Sequence, residues 1–225
     1  MGNIENIYLL ERFTFNGKAS YHLPICGLSL AERIRRAYPT ANLIFDEPRG
    51  KDGEELLGIS LKNLADYPVV RARAQAEILL RHLRGGVLIE DLDSTIVEED
   101  VTLEAGVHLG HGCYIERNCA VGTGSKIGPY AYLRQGSKVG RNCRLGDFTE
   151  MKNASLGDNS KMAHLAYLGD ADVGKNCNIG CGAVFVNYDG KCKRRAVVED
   201  DCFIGSNCNI IAPAHIKKGA YIAAG

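Results

Sequence analysis

An apolar residue returns every six positions from Val97 to the end of the chain, and this period restricts the fold more than any other feature of the sequence. The count restarts after one-residue slips and resumes after a longer interruption that follows Phe185. The positions reached are Val97, Leu103, Leu109, Ile115, Val121, Ile127, Leu133, Val139, Leu145, Met151, Leu156, Met162, Leu168, Val173, Ile179, Phe185, Val198, Ile204, Ile210, Ile216 and Ile222. A helix needs apolar spacing near 3.6 and a half-buried strand needs spacing near 2, so a sustained six predicts short strands joined by tight turns.

Three such hexads make one coil of about eighteen residues, and stacked coils form a prism. Each coil hydrogen-bonds to the next at a spacing of about 4.8 Å. A coil buries its apolar corner only by stacking on its neighbours. The sequence therefore predicts a mainly β protein, a parallel β-helix over residues 87–225 with about seven coils.

Residues 1–68 lack the period and predict a small α/β segment. Ser29 and Glu32 have the spacing of a capping box, which indicates the start of an amphipathic helix that continues to Tyr38. A short apolar strand follows over 42–45. This segment contains no glycine-rich loop of the kind that holds a phosphate.

Residues 69–86 connect this segment to the first coil. Their apolar spacing is helical, and they end in Gly85 and Gly86, which typically stop a helix. We therefore expect a linker helix ahead of the β-helix.

The charge balance argues against a nucleic-acid partner. The chain has 27 basic and 27 acidic residues, and no basic stripe is interleaved with aromatic residues. No apolar run approaches the length of a membrane span, and the start, MGNIENIYLLERF, lacks the regions of a signal peptide. We expect a cytoplasmic protein with no membrane partner.

The nine cysteines follow the repeat rather than a metal-binding pattern. Six of them fall four places after an apolar position, where a coil admits a small inward side chain: Cys113, Cys119, Cys143, Cys177, Cys202 and Cys208. Cysteine behaves there as a small hydrophobic residue. No pair has the spacing of a zinc knuckle, so we expect no metal.

Arg134 and Lys152 are the first candidates for binding. They directly follow Leu133 and Met151, so they share one corner of adjacent coils. Two cations within about 5 Å of each other repel unless an anion lies between them. This corner is a candidate phosphate site, and a pair of solvated cations that point apart is the alternative.

His164 is a candidate general base because the hexad pattern has no use for histidine at that position. Imidazole is the side chain best suited to accept a proton near neutral pH, although a single histidine is often only structural. Tyr167, Asn178 and Asn187 add neutral hydrogen-bonding groups nearby, and the set is typical of a sugar-phosphate pocket.

The period fails over 187–195, which must leave the prism as a loop. Loops on rigid scaffolds often carry binding groups. We expect its four basic residues, Lys191, Lys193, Arg194 and Arg195, to meet a phosphate-bearing ligand; the alternative is a solubilising turn.

Five runs of the sequence are familiar together: IGPYAYLRQG, FTEMKNASLGDNSKMAHLAYLGDADVGKNCNIGCG, VNYDG, DDCFIGSNCNIIAP and IAAG. They closely resemble the acetyltransferase domain of the bacterial bifunctional glucosamine-1-phosphate acetyltransferase/N-acetylglucosamine-1-phosphate uridylyltransferase family, over about residues 70 to 225. The resemblance implies a left-handed β-helix that forms a homotrimer with active sites between subunits.

The resemblance also implies roles for individual residues. His164 matches the general base of the family. The positions that match sugar-phosphate contacts are Arg134, Lys152, Tyr167 and Asn178, with Lys193 as a basic loop residue near the pocket. The positions that match acetyl-CoA contacts are Cys181, Asn187, Tyr188, Ser206 and Ala224, with Cys181 standing where the family commonly has alanine.

The implied reaction is direct acetyl transfer from acetyl-CoA to the amine of glucosamine 1-phosphate, a step in UDP-N-acetylglucosamine biosynthesis, with His164 as the base. Cys181 as a covalent acetyl carrier is the less favoured alternative. Residues 1–68 are too short to hold the family's uridylyltransferase half, so we expect neither that activity nor its Mg²⁺. Two other functions stay open: acylation of another amino sugar or sugar nucleotide, and a non-catalytic trimeric β-helix that binds sugar nucleotide.

Overall fold

The structure is a computed structural model that describes residues 4, 6–46, 51–58 and 61–225. It divides into two compact units, Met1–Glu77 and Ile78–Gly225. The start of the predicted segment 1–68 and parts of its interior therefore lie outside the described residues.

The first unit is a small α/β unit. Its elements in chain order are β1 (Asn6–Leu9), β2 (Thr14–Phe15), β3 (Lys18–Ala19), a 3-10 turn (Ser20–His22), β4 (Pro24–Ile25), β5 (Leu28–Ser29), α1 (Leu30–Ala37), β6 (Asn42–Phe45), β7 (Lys51–Asp52), α2 (Gly53–Leu57) and a 3-10 turn (Leu64–Asp66). The strands β6, β1 and β7 form a parallel sheet in that order, and β2–β3 and β4–β5 are hairpins. Its buried core consists of Ile7, Leu9, Tyr21, Leu30, Ala31 and Ile34.

The predicted capping box is confirmed at α1. The Ser29 hydroxyl accepts from the backbone N–H of Glu32 at 3.2 Å, and the Glu32 carboxylate accepts from the backbone N–H of Ser29 at 2.7 Å. The predicted strand over 42–45 is confirmed as β6. Sequence reasoning missed the two hairpins and the helix α2. The strands of the hairpins have two residues each and α2 has five, so these elements are too short to show a hydrophobic period.

The predicted helix before the β-helix is confirmed as α3 (Tyr67–Arg84). It begins two residues earlier than predicted because Pro68 falls in its first turn, where the missing N–H of proline does no harm. It ends at Gly85 and Gly86, and Gly86 has a φ of 88°, a left-handed conformation that glycine adopts without strain.

The second unit contains the remaining strands, each of two to four residues. They are β8 (Leu88–Ile89), β9 (Ile96–Val97), β10 (Thr102–Leu103), β11 (His108–Leu109), β12 (Tyr114–Ile115), β13 (Ala120–Val121), β14 (Lys126–Ile127), β15 (Tyr132–Leu133), β16 (Lys138–Val139), β17 (Arg144–Asp147), β18 (Glu150–Lys152), β19 (Ser155–Leu156), β20 (Lys161–His164), β21 (Tyr167–Gly169), β22 (Ala171–Val173), β23 (Asn178–Ile179), β24 (Val184–Val186), β25 (Ala196–Val198), β26 (Phe203–Ile204), β27 (Asn209–Ile211), β28 (His215–Ile216) and β29 (Tyr221–Ile222).

These strands form three parallel sheets in which every third strand is a neighbour. Sheet 1 runs from β8 through β11, β14, β17, β20, β23 and β26 to β29; sheet 2 runs from β9 to β27; and sheet 3 runs from β10 to β28, with eight, seven and seven strands respectively. Successive sheets along the chain are therefore the sides of a prism. The predicted mainly β fold, a parallel β-helix of stacked coils, is confirmed.

The apolar residues at the six-residue period form the core of this prism. Met151, Leu168 and Ile204 have no exposed surface, and Phe185 is 1% exposed. The six cysteines of the repeat are buried with them, as the sequence predicted. Among the described residues, no helix has the length and apolar character needed to cross a membrane.

Candidate functional site

His164 ends strand β20 on sheet 1 and lies over Asp147 of the preceding coil. The two residues are paired in the strand register, and His164 Nδ1 lies 2.7 Å from Asp147 Oδ1. This hydrogen bond is the main reason that the pKa of Asp147 lies below its ordinary value. An ionised carboxylate on Nδ1 favours the tautomer that carries its proton there, which leaves Nε2 free to accept a proton.

Three of the predicted acetyl-CoA contacts stack above His164 at the same corner. Met162 pairs with Ile179, which brings Cys181 one coil above His164. The backbone N–H of Asn207 donates to the carbonyl of Cys181 at 2.8 Å, and that of Gly225 donates to the carbonyl of Ser206 at 2.9 Å. These bonds continue the stack, which we call the His164 column; its members are His164, Cys181, Ser206 and Ala224, all exposed.

The predicted cations meet where the neighbouring strands β15 and β18 of sheet 2 end. The backbone N–H of Arg134 donates to the carbonyl of Met151 at 2.8 Å, which places Arg134 and Lys152 in adjacent coils as predicted. The Lys193 side chain contacts that of Lys152, and this contact, ahead of desolvation and of the charge on Arg134, lowers the pKa of Lys152. We call Arg134, Lys152 and Lys193 the cation cluster.

Arg134 has one acidic neighbour in this cluster. Its Nη1 donates to Glu150 Oε1 at 3.1 Å, and its guanidinium lies 5.8 Å from the centre of the Tyr132 ring. Lys152 and Lys193 have no such partner within salt-bridge distance among the residues that the structure describes. The charge of Asp170 also acts on both lysines, so the three cations face the carboxylates of Glu150 and Asp170, and the cluster keeps an excess of positive charge that an anion would relieve.

The loop 187–195 is held at both ends. Asn187 donates from its amide to the Asp170 carboxylate, and Asp170 accepts a second bond from Asn153 Nδ2 at 2.7 Å. At the other end, the guanidinium of Arg195 donates to both carboxylate oxygens of Asp172. The loop thus folds back on the corner that carries the cation cluster.

Two of the four basic loop residues are bound to carboxylates of the same chain. Arg195 is bound by Asp172, and Arg194 Nε lies 3.6 Å from Asp189 Oδ2. Lys193 alone contacts another cation of the predicted site. The carboxylates that bind these arginines lie five and twenty-three residues away in the sequence, so a linear count of basic residues did not reveal them.

The other predicted residues fall on different faces. Tyr167 starts β21 on sheet 2, between the His164 column and the cation cluster, and burial raises its pKa. Asn178 starts β23 on sheet 1, so a single chain does not bring it to the cation cluster. Tyr188 is exposed on the loop, where its hydroxyl donates to the carbonyl of Gly190 at 2.7 Å.

Sequence reasoning missed the acidic partners of the site, namely Asp147, Asp170, Asp172 and Glu150. Asp147 had a usable signal, since it stands seventeen residues before His164 and the coil between them contains one of the slips in the count. Asp170 had a weaker signal as the last residue of the run YLGD.

The His164–Asp147 pair can supply acid–base chemistry at this site. In the described part of the chain, no group of three or more His, Cys, Asp or Glu residues is arranged to hold a metal ion. Burial raises the pKa of the Cys119 thiol to about 11 and raises the pKa of Cys143 and Cys177 as well. Cys181 and Cys192 are the exposed thiols among the nine.

Two family models match the β-helix. The model described as "Bacterial transferase hexapeptide (six repeats)" matches residues 94–127, and the model described as "Hexapeptide repeat of succinyl-transferase" matches residues 195–225. Both describe the hexapeptide repeat; the stretch 128–194, which carries His164 and the cation cluster, lies between the two matches.

Curated relatives match over most of the chain. The "Bifunctional protein GlmU" of Acetivibrio thermocellus is 39% identical over 210 aligned positions, and the match covers 78% of this chain and 45% of that protein. The "Bifunctional protein GlmU" of Clostridioides difficile is 40% identical over 214 residues, with the same coverage of 78% and 45%. The chain therefore spans less than half the length of these relatives.

Solved structures give a weaker likeness. The acetyltransferase domain of PglB from Neisseria gonorrhoeae FA1090, in complex with acetyl coenzyme A, is 16% identical, with coverage of 93% of this chain and 97% of that chain and a TM-score of 0.30. At so low a TM-score the likeness adds nothing to the relationship found by sequence.

Proposed function

Because the chain belongs to the hexapeptide-repeat transferases and matches the acetyltransferase domain of the bifunctional GlmU proteins, we propose that it is an acetyl-CoA-dependent N-acetyltransferase whose acceptor is glucosamine 1-phosphate. The chain spans 45% of the first of these relatives. Membership of the family therefore does not by itself assign every activity of that longer protein to this chain.

The observation that carries the proposal is the pairing of His164 with Asp147. His108 and His215 also lie 2.7 Å from a carboxylate, but through Nε2. Asp147 instead holds Nδ1 of His164 at 2.7 Å, and a bond at that nitrogen fixes the tautomer that a general base at Nε2 needs. The free Nε2 is then available to accept a proton from the attacking amine.

In the proposed reaction, the acceptor amine attacks the thioester carbonyl of acetyl-CoA while His164 Nε2 removes a proton from that amine. The new C–N bond forms as the C–S bond breaks, and the proton held by His164 passes to the leaving thiolate of CoA. The small side chains of Cys181, Ser206 and Ala224 leave room along the His164 column for the extended arm of acetyl-CoA. Asn187 and Tyr188 would contact the same co-substrate.

The cation cluster supports a phosphorylated acceptor. Lys152 and Lys193 repel each other in the free protein, so a phosphate group between them would gain attraction from both and from Arg134. Tyr167 also belongs to sheet 2, and its hydroxyl would hydrogen-bond to the sugar.

The position of Asn178 supports a homotrimer with active sites between subunits. The resemblance assigns Asn178 and the cation cluster to one substrate, yet in one chain they lie on sheets 1 and 2. If sheet 1 of one subunit faces sheet 2 of the next, both sets of residues meet one ligand. Sedimentation equilibrium tests this, because a monomer would rule out a site of that kind.

The proposed activity is tested by release of free thiol from acetyl-CoA in the presence of glucosamine 1-phosphate, with His164→Ala as the comparison. We expect turnover in the wild type and a loss of about 10² or more in the variant, the size typical of a missing general base. A folded, correctly assembled protein without turnover would contradict the proposal and favour a binding role.

A further inference from the structure

Asp170 stands in the middle of a polar column at the corner where the strands of sheet 2 end. Asn153, Asp170 and Asn187 directly follow the last residues of β18, β21 and β24, so they occupy one position in three successive coils. Asn153 Nδ2 donates to Asp170 Oδ1 at 2.7 Å, and Asn187 Nδ2 donates to Asp170 Oδ2. Each carboxylate oxygen therefore holds one amide, and we call the three residues the amide column.

The backbone holds Asp170 in place. Its N–H donates to the carbonyl of Lys152 at 2.9 Å, and its carbonyl accepts from the N–H of Ala196 at 3.1 Å. These bonds and those of the amide column lie within one chain, so they do not depend on which sheets a neighbouring subunit covers. The scaffold, rather than a ligand, therefore fixes the position of the carboxylate.

The carboxylate of Asp170 is ionised at neutral pH. Burial opposes its charge, but the two amide bonds outweigh burial, and the charges of Lys152 and Lys193 add to them; together they hold the pKa of Asp170 below its ordinary value. An ionised carboxylate only accepts hydrogen bonds. Asn187 must therefore turn its nitrogen toward Asp170 and its oxygen, Oδ1, away from it.

The amide of Asn187 also contacts the hydroxyl of Tyr167. Burial raises the pKa of Tyr167, and the contact with Asn187 partly offsets that effect. Gly169 provides the space for this arrangement, since a Cβ there would lie 2.4 Å from the Tyr167 hydroxyl oxygen. The proposed function assigns Tyr167 to the sugar and Asn187 to acetyl-CoA, so Asn187 lies where the two substrates would meet.

We propose that Asp170 is a positioning residue for acetyl-CoA, because it keeps Asn187 Oδ1 available as a hydrogen-bond acceptor for that ligand. This inference rests on the proposed function, which assigns Asn187 to acetyl-CoA. The pantetheine arm of acetyl-CoA carries amide N–H groups, which need such an acceptor. A rotated Asn187 amide would present a second donor to the arm, and the hydrogen bond would be lost.

The same carboxylate acts on the cation cluster. Asp170 lies one coil above Lys152, and its charge favours the protonated form of that lysine. The phosphate of an acceptor would be attracted by the lysines and repelled by Asp170. Loss of the carboxylate should therefore weaken the binding of one substrate and strengthen that of the other, which a general loss of structure would not do.

Titration calorimetry with coenzyme A tests the inference without any turnover. Asp170→Gly removes the side chain without strain, because the φ of Asp170 is 44°, in the left-handed region that glycine adopts freely. We expect the Kd of coenzyme A to rise about fivefold, the effect of one neutral hydrogen bond. Asp170→Asn should recover most of the affinity, because its amide oxygen still accepts from Asn187 Nδ2.

Asn153→Gly is the matched control. Asn153 has a φ of 48°, so glycine again introduces no strain, and the variant removes the other amide from Asp170 while the bond to Asn187 remains. The affinity for coenzyme A should be unchanged. A loss equal to that of Asp170→Gly would overturn the proposal, since it would indicate general support of this corner.

A double-mutant cycle tests whether Asp170 acts through Asn187. Asn187→Ala alone should weaken coenzyme A binding at least as much as Asp170→Gly does. In the Asn187→Ala protein, Asp170→Gly should cause no further loss, because the group that it positions is absent. Additive losses in the double variant would overturn the proposal.

Glucosamine 1-phosphate provides the readout of opposite sign. Asp170→Asn should bind it about twofold to fivefold more tightly than the wild type, the effect of one removed surface charge. Weaker binding of glucosamine 1-phosphate together with unchanged binding of coenzyme A would place Asn187 on the acceptor and overturn the proposal, as would a wild type that does not bind coenzyme A. A wild type that binds coenzyme A but transfers no acetyl group would contradict the proposed function alone, so the two failures are distinguishable.

Discussion

His164 and Asp147 face each other across adjacent coils, with Nδ1 of the imidazole 2.7 Å from Oδ1 of the carboxylate. Both residues end strands of sheet 1 and are paired in its register. The rigid ladder therefore fixes their separation, and the imidazole is oriented by the fold rather than by the ligand.

We expect Asp147→Ala to lower the kcat of acetyl transfer by about tenfold, the scale at which orienting partners of a functional histidine act. The reason is that Nδ1 loses its acceptor, so the wrong tautomer and other ring orientations become populated. The KM for glucosamine 1-phosphate should change little, because Asp147 lies on sheet 1 and the cation cluster on sheet 2. Steady-state kinetics at saturating acetyl-CoA measure both quantities.

Asp147→Asn is the control for this prediction, because its amide oxygen still accepts a hydrogen bond from Nδ1–H. Recovery of most of the lost kcat in this variant would indicate a positioning role for Asp147. Equal losses in the alanine and asparagine variants would contradict that role.

The exposed thiols give a second prediction. In the native protein, an aromatic disulfide reagent should react rapidly with Cys181 and Cys192, while the seven buried thiols react only on unfolding. Acetyl-CoA should slow the reaction of Cys181, which lies in the His164 column, and leave that of Cys192 unchanged. Mass spectrometry of labelled peptides measures both rates, and equal protection of the two thiols would argue against binding along the column.

The fold was predictable because the six-residue hydrophobic period continues over more than a hundred residues. The contacts within the site were harder to predict, because each of them depends on the exact number of residues between two side chains. Counting placed Arg134 beside Lys152, since an uninterrupted coil of eighteen residues separates them. Counting in eighteens did not pair Asp147 with His164. One residue is missing from the period between Met151 and Leu156, so the coil that separates Asp147 from His164 has seventeen residues. The acids that hold Arg194 and Arg195 depend on how the loop folds back, which no period describes.

The core position of Phe185 allows a sharp test of the stacked coils. Phe185→Ala should destabilise the protein by about 3–5 kcal/mol, because it removes a ring that is 1% exposed. Phe203→Ala is the matched control; Phe203 is 37% exposed and stacks on Tyr221 at 4.6 Å, so its loss should cost less than about 1.5 kcal/mol. Urea denaturation at equal protein concentration compares the two, and similar midpoints would contradict the predicted core.

The anchor of the loop 187–195 predicts a change in protease sensitivity. Asp172→Asn removes the ionic partner of Arg195, so the loop should open more often and trypsin should cut faster after Lys193 and Arg194. Arg195 holds the pKa of Asp172 below its ordinary value, so the stabilisation is present above the pKa of the unfolded chain, about 3.9, and is lost as the pH falls through the lower folded value. Cleavage at pH 8, followed by mass spectrometry, checks the variant; an unchanged rate would mean that Asn187 and Asp170 alone hold the loop.

The contact between Lys152 and Lys193 predicts an unusually reactive amine. Because the pKa of Lys152 is lowered in the folded protein, a larger share of Lys152 than of an ordinary lysine, whose pKa is about 10.4, is neutral just below that pH. The repulsion destabilises the fold while both amines are protonated and fades as the pH rises through the folded pKa of Lys152.

Reductive methylation at pH 9 should therefore label Lys152 faster than Lys138, an exposed lysine of sheet 3. Lys193→Gln should slow that labelling by restoring the pKa of Lys152, and glucosamine 1-phosphate should slow it in the wild type, since an anion in the cluster favours the charged amine. Labelling that is unaffected by both changes would mean that the two amines do not meet in solution.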